Sequence, residues 1–269
     1  MKLKTKRGLR MRTRSNSCAT IRFKVASATA QGRRHEAEGV ACQDAVGRIV
    51  KGKFSAIALA DGAGTARYAA LGASISVEIT LRHLLVHFDK LLSSTEARTK
   101  VNILATVRQA LRREARDKLA RFEEFSCTLL FAVTDGNTLL AGQIGDGRVG
   151  VRDSVSSEWR PMLVASKGEF LNETTFVTSR SALRSFQLAR GTASAVSACV
   201  LMSDGAEENL FNRASQSFAP AVDTIANWIA SYPTKKVEVA LKEQLHTLLR
   251  EKTFDDLGLA CMSRLPPSP

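Results

Sequence analysis

The sequence predicts an α+β fold with antiparallel sheets, and three observations carry that expectation. Short apolar runs of strand character come in groups rather than singly between helices. The helical segments come in two pairs, one after the first strands and one before the last strand. A doubly wound parallel sheet would instead alternate strand and helix along the chain. Finally, neither an internal repeat nor a Pro/Gly-rich linker divides the interior. One domain is therefore expected over residues 21–264, between an N-terminal tail of residues 1–20 and a C-terminal tail of residues 265–269.

The first twenty residues hold seven Lys and Arg and no acid, so they supply +7 of the net charge of +13. A like-charged block of this kind is expected to be disordered. It lacks the apolar stretch of a signal peptide. Its charge could meet nucleic acid or an acidic membrane surface. Nucleic acid is disfavoured as a partner, because only 6% of residues are aromatic and none interleave with the basic ones.

Ile21–Ala30 alternates as an edge strand does, and Phe54–Ala60 is a near-continuous apolar run of buried-strand length. In Ala69–Lys90, Val77, Leu81, Leu84, Leu85 and Phe88 recur at helical spacing. In Glu96–Phe122, Leu104, Val107, Leu111, Ala115 and Leu119 form one stripe, and Arg108, Arg112, Arg113 and Arg116 lie off it on an expected solvated face. Strands are expected at Ser126–Val133, Thr138–Ile144, Arg148–Arg152 and Trp159–Val164, with a hairpin turn at Asp135-Gly136. Residues 165–195 are polar and weakly periodic, a length that is usually functional or mobile. Ser197–Ser203 reads as a strand, Ala219–Ser231 and Lys235–Lys252 as helices, and Leu257–Met262 as the last strand. No apolar run approaches the roughly 18 residues of a membrane helix, so no span is expected.

The five cysteines, Cys18, Cys42, Cys127, Cys199 and Cys261, lie too far apart for a zinc knuckle, a CxxC redox pair or a disulfide framework. With free thiols and no signal peptide, a cytoplasmic location is expected. Gly145-Asp146-Gly147-Arg148-Val149-Gly150 reads GxGxxG, but it runs into strand-like residues instead of opening a helix, so it is no dinucleotide site. His83 and His87 sit four apart with no Glu after the first, which excludes the HExxH zinc motif.

The stronger signal is a set of carboxylates at strand ends. Asp61-Gly62 ends FSAIALA, Asp146-Gly147 follows LLAGQIG, and Asp204-Gly205 follows ACVLMS. Asp255-Asp256 opens LGLACM, and Asp44 precedes another short strand. Any one Asp-Gly is ordinarily a turn. Several carboxylates abutting buried strands can instead converge, and like charges gathered together require a cation between them. Oxygen ligands without Cys or His suit Mg²⁺ or Mn²⁺. A pair of such ions can activate water and hold phosphate oxygens. The residues alone thus point to a metal-dependent phosphohydrolase.

These blocks resemble the metal-dependent protein phosphatases, the protein phosphatase 2C family, and most of all its bacterial branch. The resemblance rests on His35 followed by Cys42-Gln43-Asp44-Ala45, on Ala60-Asp61-Gly62-Ala63-Gly64 and on Ser126-Cys127-Thr128-Leu129. Ile144-Gly145-Asp146-Gly147-Arg148, the loop Gly168-Glu169-Phe170-Leu171-Asn172-Glu173-Thr174, Ser203-Asp204-Gly205 and Asp255-Asp256 complete the order. It implies a four-layer α/β/β/α sandwich around two central antiparallel sheets, with two Mn²⁺ or Mg²⁺ ions where the sheets meet and a weaker third in some members. By motif, Asp61 would bridge both ions and the Gly62 carbonyl would bind one. Asp204 and Asp255 would hold the other ion, Asp44 would act through water on the metal, and Asp146 matches the third-metal position. The implied substrate is a phosphoserine or phosphothreonine protein, and the implied partner an opposing kinase.

Two departures bear on catalysis. Many members carry His directly after the Asp-Gly, where this chain has Ala63, and many carry an upstream Arg that contacts phosphate. Arg33 and Arg34 sit at a different offset, and His35 is a candidate for phosphate binding or proton donation. A pseudophosphatase that binds phosphoprotein without turnover is the alternative, and the retained Asp44, Asp61, Asp204 and Asp255 weigh against it.

Overall fold

A computed structural model describes residues 21–163 and 174–266. The basic tail, Cys18 and the 168–173 part of the Gly168–Thr174 loop lie outside the described residues. The chain opens with β1 (Phe23–Ala30), α1 (Arg33–Glu38), β2 (Asp44–Lys51) and β3 (Phe54–Asp61), followed by the long pair α2 (Ala69–Ser93) and α3 (Glu96–Asp117). Next come β4 (Leu129–Thr134), β5 (Thr138–Ile144), β6 (Arg148–Asp153), β7 (Trp159–Pro161), α4 (Ala182–Ser185), β8 (Gln187–Thr192) and β9 (Val196–Met202). The last part holds α5 (Asp204–Leu210), the small hairpin β10 (Phe211–Asn212) and β11 (Ser217–Phe218), α6 (Pro220–Ser231), α7 (Thr234–Gln244) and β12 (Leu257–Arg264).

Two five-stranded sheets dominate, in the orders β1-β12-β9-β6-β7 and β2-β3-β4-β5-β8. Every neighbouring pair in both is antiparallel. The apolar clusters show how they stack. Leu84, Phe88, Ile103, Leu111 and Phe131 join α2 and α3 to the second sheet. Ile57, Leu59, Leu130, Val149, Leu201 and Met262 fill the space between the sheets. Val200, Ala226, Ile229, Leu241 and Leu259 join α6 and α7 to the first sheet. The result is the expected α/β/β/α sandwich.

Strand β3 shows how the sequence sets these layers. Side chains alternate across a strand, so Ala56, Ala58 and Ala60 face the α2/α3 cluster while Ile57 and Leu59 enter the layer between sheets. Both faces are buried, which is why the run reads as uninterrupted. The small alanines let α2 come close, and at Gly47 of β2 a Cβ would stand 2.6 Å from Val77 Cγ1.

Helix α2 is 25 residues long and apolar enough to pass a length-and-composition test for a membrane span. The sequence expectation of no such stretch is therefore corrected in that respect. Val77, Leu81, Leu84 and Phe88 are buried in the domain core, as in the core helix of a globular fold.

Several boundaries differ from expectation. Helix α3 ends at Asp117, because Leu119 takes a left-handed φ of 52° and is 97% exposed, so it is no part of the stripe. Strand β4 starts at Leu129, three residues later than expected. Strand β8 lies inside the polar stretch because it is a sheet edge, half-buried with no apolar run to announce it. Helices α1 and α5 are too short for a periodic signal, and α5 begins in an Asp-Gly that reads locally as a turn.

Candidate metal centre

Both sheets bring carboxylates to the same end of the sandwich. In the second sheet β2 begins with Asp44 and β3 ends with Asp61, and the two are register partners. In the first sheet β9 leads through Ser203 into Asp204, the first residue of α5. Alongside it β12 starts just after Asp255-Asp256, with Ser203 N donating to Gly258 O at 3.0 Å. At Gly205 a Cβ would stand 2.3 Å from Asp256 O, so only glycine lets the start of α5 lie against that turn. Asp146 occupies the turn between β5 and β6 and accepts a 2.5 Å hydrogen bond from Thr174 Oγ1.

A pocket of about 150 Å³ opens between these ends. Asp61, Asp146, Asp204 and Asp255 line it with Arg34, His35, Gln43 and the Gly62–Gly64 backbone. The backbone of this loop is pinned, with Gly62 N donating to Gln43 O at 3.2 Å and Ala63 N to Ser126 O at 2.9 Å. Thr128 Oγ1 accepts from Asp61 N at 2.9 Å, which fixes the end of β3. Ala63 lines the pocket and has no side-chain group able to donate a proton.

The electrostatics follow from crowding. Burial, with the charges of Asp256 and Asp204 added, pushes the Asp44 carboxyl up to about 8. Burial, then the charges of Asp44, Asp204 and Asp255, holds Asp61 well above the usual carboxylate range. Burial, then Asp146 and Asp255, brings Asp204 to about 6. The turn residue Asp135 shows the opposite outcome. Its burial works against ionisation, but the Thr138 and Asn137 amides and Lys53 outweigh it and keep the carboxyl below its ordinary value.

The adjacent acids Asp255 and Asp256 have different surroundings. Asp255 lines the pocket, and its Oδ1 lies 3.3 Å from Arg34 Nη2. Asp256 is 2% exposed. Its Oδ1 accepts from Gly32 N at 2.6 Å, and its Oδ2 meets Gln43 N at 2.6 Å and His35 Nδ1 at 2.8 Å. His35 is thus a buried helix residue tied to Asp256 that also borders the pocket. Of the two arginines, Arg34 reaches the pocket, whereas Arg33 turns aside to donate to Thr253 O at 3.2 Å and stack over Phe254. Sequence reasoning did not single out Gln43 as a site residue, although its position beside Asp44 at a strand start was a usable signal.

The donors present fit hard divalent cations. Both carboxylate oxygens of Asp44 and Oε1 of Gln43 are buried without a hydrogen-bond partner. Such atoms are costly to leave unmatched and a cation satisfies them. The pocket's acidic donors are all oxygens, the preference of Mg²⁺ and Mn²⁺. Among the described residues, no three His, Cys, Asp or Glu side chains are gathered closely enough to hold an ion as they stand.

A family model described as protein phosphatase 2C matches residues 31–250. The chain belongs to the protein phosphatase 2C family. It is 25% identical over 248 residues to serine/threonine-protein phosphatase 3 of Escherichia coli (strain K12), covering 88% of this chain and 97% of that one. Among solved structures it is similar to the catalytic domain of the serine threonine protein phosphatase PstP in complex with two manganese ions. There the TM-score is 0.57 and the identity 17%, over 92% of this chain and 100% of that one. It also resembles the serine/threonine phosphatase Stp1 from Staphylococcus aureus, with a TM-score of 0.57 and 14% identity over 90% and 94% of the two chains. These likenesses establish that the sandwich is the protein phosphatase 2C fold.

Proposed function

We propose that this chain is a metal-dependent serine/threonine protein phosphatase that hydrolyses phosphoprotein at the pocket between the two sheets. The observation that carries the proposal is Asp44, whose buried carboxylate has no protein partner while Asp61 and Asp204 crowd the same space. When bound, two Mn²⁺ or Mg²⁺ ions would activate water and neutralise phosphate oxygens. Asp61 and the Gly62 carbonyl would hold them from the second sheet, and Asp204 and Asp255 from the first. Asp44 would act on the metal site through water. Asp146 would take a weaker third ion.

Arg34 is proposed to receive the phosphate, a role supported by its position in the pocket lining with its guanidinium beside Asp255. His35, with Nδ1 committed to Asp256, borders the same pocket and is proposed to pass a proton to the leaving oxygen in place of the side chain that Ala63 lacks. The substrate class is phosphoserine or phosphothreonine in a protein, with a kinase as the opposing enzyme and the cytoplasm as the location. Ala63 favours one alternative, a phosphoprotein-binding pseudophosphatase. The deciding experiment is hydrolysis of an aryl phosphate with Mn²⁺, with Mg²⁺ and with chelator. Turnover that depends on added metal supports the phosphatase reading. Full turnover in excess chelator overturns the metal mechanism, and metal-bound protein without turnover favours the pseudophosphatase.

A further inference from the structure

A buried charge cluster beside the pocket has no part in the mechanism above. Glu207 lies one helical turn after Asp204 on α5 and is fully buried. Its Oε1 accepts from Arg148 Nη2 at 2.6 Å and Nε at 3.2 Å, and from Arg213 Nε at 3.0 Å. Arg148 follows the Asp146 turn by two residues, is buried, and stacks over the Phe211 ring at 4.3 Å. It balances the single charge of Glu207. Arg213, in the β10–β11 hairpin, is therefore a second cation on that carboxylate.

Arg213 differs from Arg148 in what it leaves open. Its side chain is 64% exposed, and its two η nitrogens make no hydrogen bond to any described residue. Among the described residues only Nε is held, by a fixed buried carboxylate, while most of the side chain is exposed. The hydrogen bond to Glu207 raises its affinity for the proton against the cost of burial, and the charges of Glu207, Asp146 and Asp204 add to this. The guanidinium thus lies within the field of the acidic pocket but does not line it.

We propose that Arg213, aimed by the buried Glu207, docks an acidic side chain of the phosphoprotein substrate close in sequence to the phosphorylated residue. A guanidinium edge matches a carboxylate in a bidentate fork. Arg213 is tied to the pocket through Glu207, which shares the short helix α5 with Asp204, and an extended chain advances about 3.3–3.6 Å per residue, so residues flanking the phosphorylated one would cross the surface around the pocket. The proposal rests on the phosphatase reading for its substrate, and it assigns Arg213 a specificity role and Glu207 a positioning role.

The test compares three phosphopeptides that differ only in Glu, Gln or Lys flanking the phosphoserine, with full-length protein and Mn²⁺. The wild type should favour the Glu peptide in kcat/KM, through KM, and less so at high salt. Arg213→Ala should lower the Glu-to-Gln ratio about tenfold, which corresponds to ~1.4 kcal/mol. Arg213→Glu should invert the preference toward a Lys-flanked peptide, and Arg213→Lys should keep part of it. Equal loss on all peptides overturns the proposal, because that is the signature of a structural role. An unchanged ratio overturns it as well. If the wild type turns over neither the peptides nor an aryl phosphate, the phosphatase reading fails, and fluorescence anisotropy of the same labelled peptides then decides separately. A Glu preference in binding that Arg213→Ala removes supports the docking role, and no preference overturns it.

Discussion

Asp44 and Asp256 are both almost fully buried at the same end of the sandwich, yet they are built for opposite purposes. Asp256 has its oxygens filled by two backbone amides and His35. Asp44 has none filled. A buried carboxylate surrounded by protein donors holds a fold together, since each donor would otherwise be left unmatched. A buried carboxylate with no donors lowers the stability of the empty fold and is matched only when a cation arrives. Burial and residue type do not separate the two; the hydrogen-bond partners do.

The largest effect that can break this comparison is on turnover. Asp61→Asn and Asp204→Asn should each lower metal-dependent hydrolysis at least about a hundredfold, a barrier change of ~2.7 kcal/mol. In chelator neither variant should melt below wild type, because each removes one of several like charges. Asp204→Asn with normal turnover would sink the site assignment.

Asp256→Ala tests the other side. It leaves the amides of Gly32 and Gln43 and the His35 ring without an acceptor. A loss of about 3 kcal/mol is expected in urea unfolding, with or without metal. A stability unchanged in chelator would show that Asp256 belongs with the metal-site acids.

The third prediction sharpens the contrast through pH. The folded state holds the Asp44 proton up to about 8, whereas an unfolded Asp releases it near ~3.9. Between these values the folded state binds more protons, so stability of the metal-free protein should fall as pH rises from about 4 toward 8. Asp44→Asn should reduce that slope and leave the part that Asp61 and Asp204 contribute, as read from urea midpoints in chelator at pH 5 and pH 8. An identical slope in the variant would assign the proton elsewhere. The smallest effect is expected at Asp135, whose carboxylate caps its own hairpin turn through the Asn137 and Thr138 amides. Asp135→Asn should cost about 1 kcal/mol and leave turnover within about twofold.

Most of the frame was legible in the sequence. Short apolar runs placed β3 and β5, which bury both faces, and helical spacing placed α2, which buries one stripe, each to within a few residues. The carboxylates at strand ends were equally plain, since an apolar run that stops at Asp-Gly marks both a strand end and a charge. The misses have a shared cause. Strand β8 is a sheet edge, and α1 and α5 are about two turns or less, so none carries enough buried residues to imprint a period.

What the sequence determined by itself was the inventory: the layered α+β class, the acids at the ends of β2, β3, β9 and β12, and the charge of the basic tail. Local patterning suffices there because a residue's neighbours in sequence set its periodicity. The tertiary structure alone decided which member of each adjacent pair serves the pocket. Asp255 faces it while Asp256 is consumed by Gly32, His35 and Gln43, and Arg34 reaches it while Arg33 lies on Phe254. It also decided that Arg148, two residues past a candidate ligand, is buried on Glu207. Adjacent residues share a composition and a position in the chain but point in different directions, and their partners come from strands and helices as many as 224 residues away. Such partners are fixed by sheet order and register, which no local window contains.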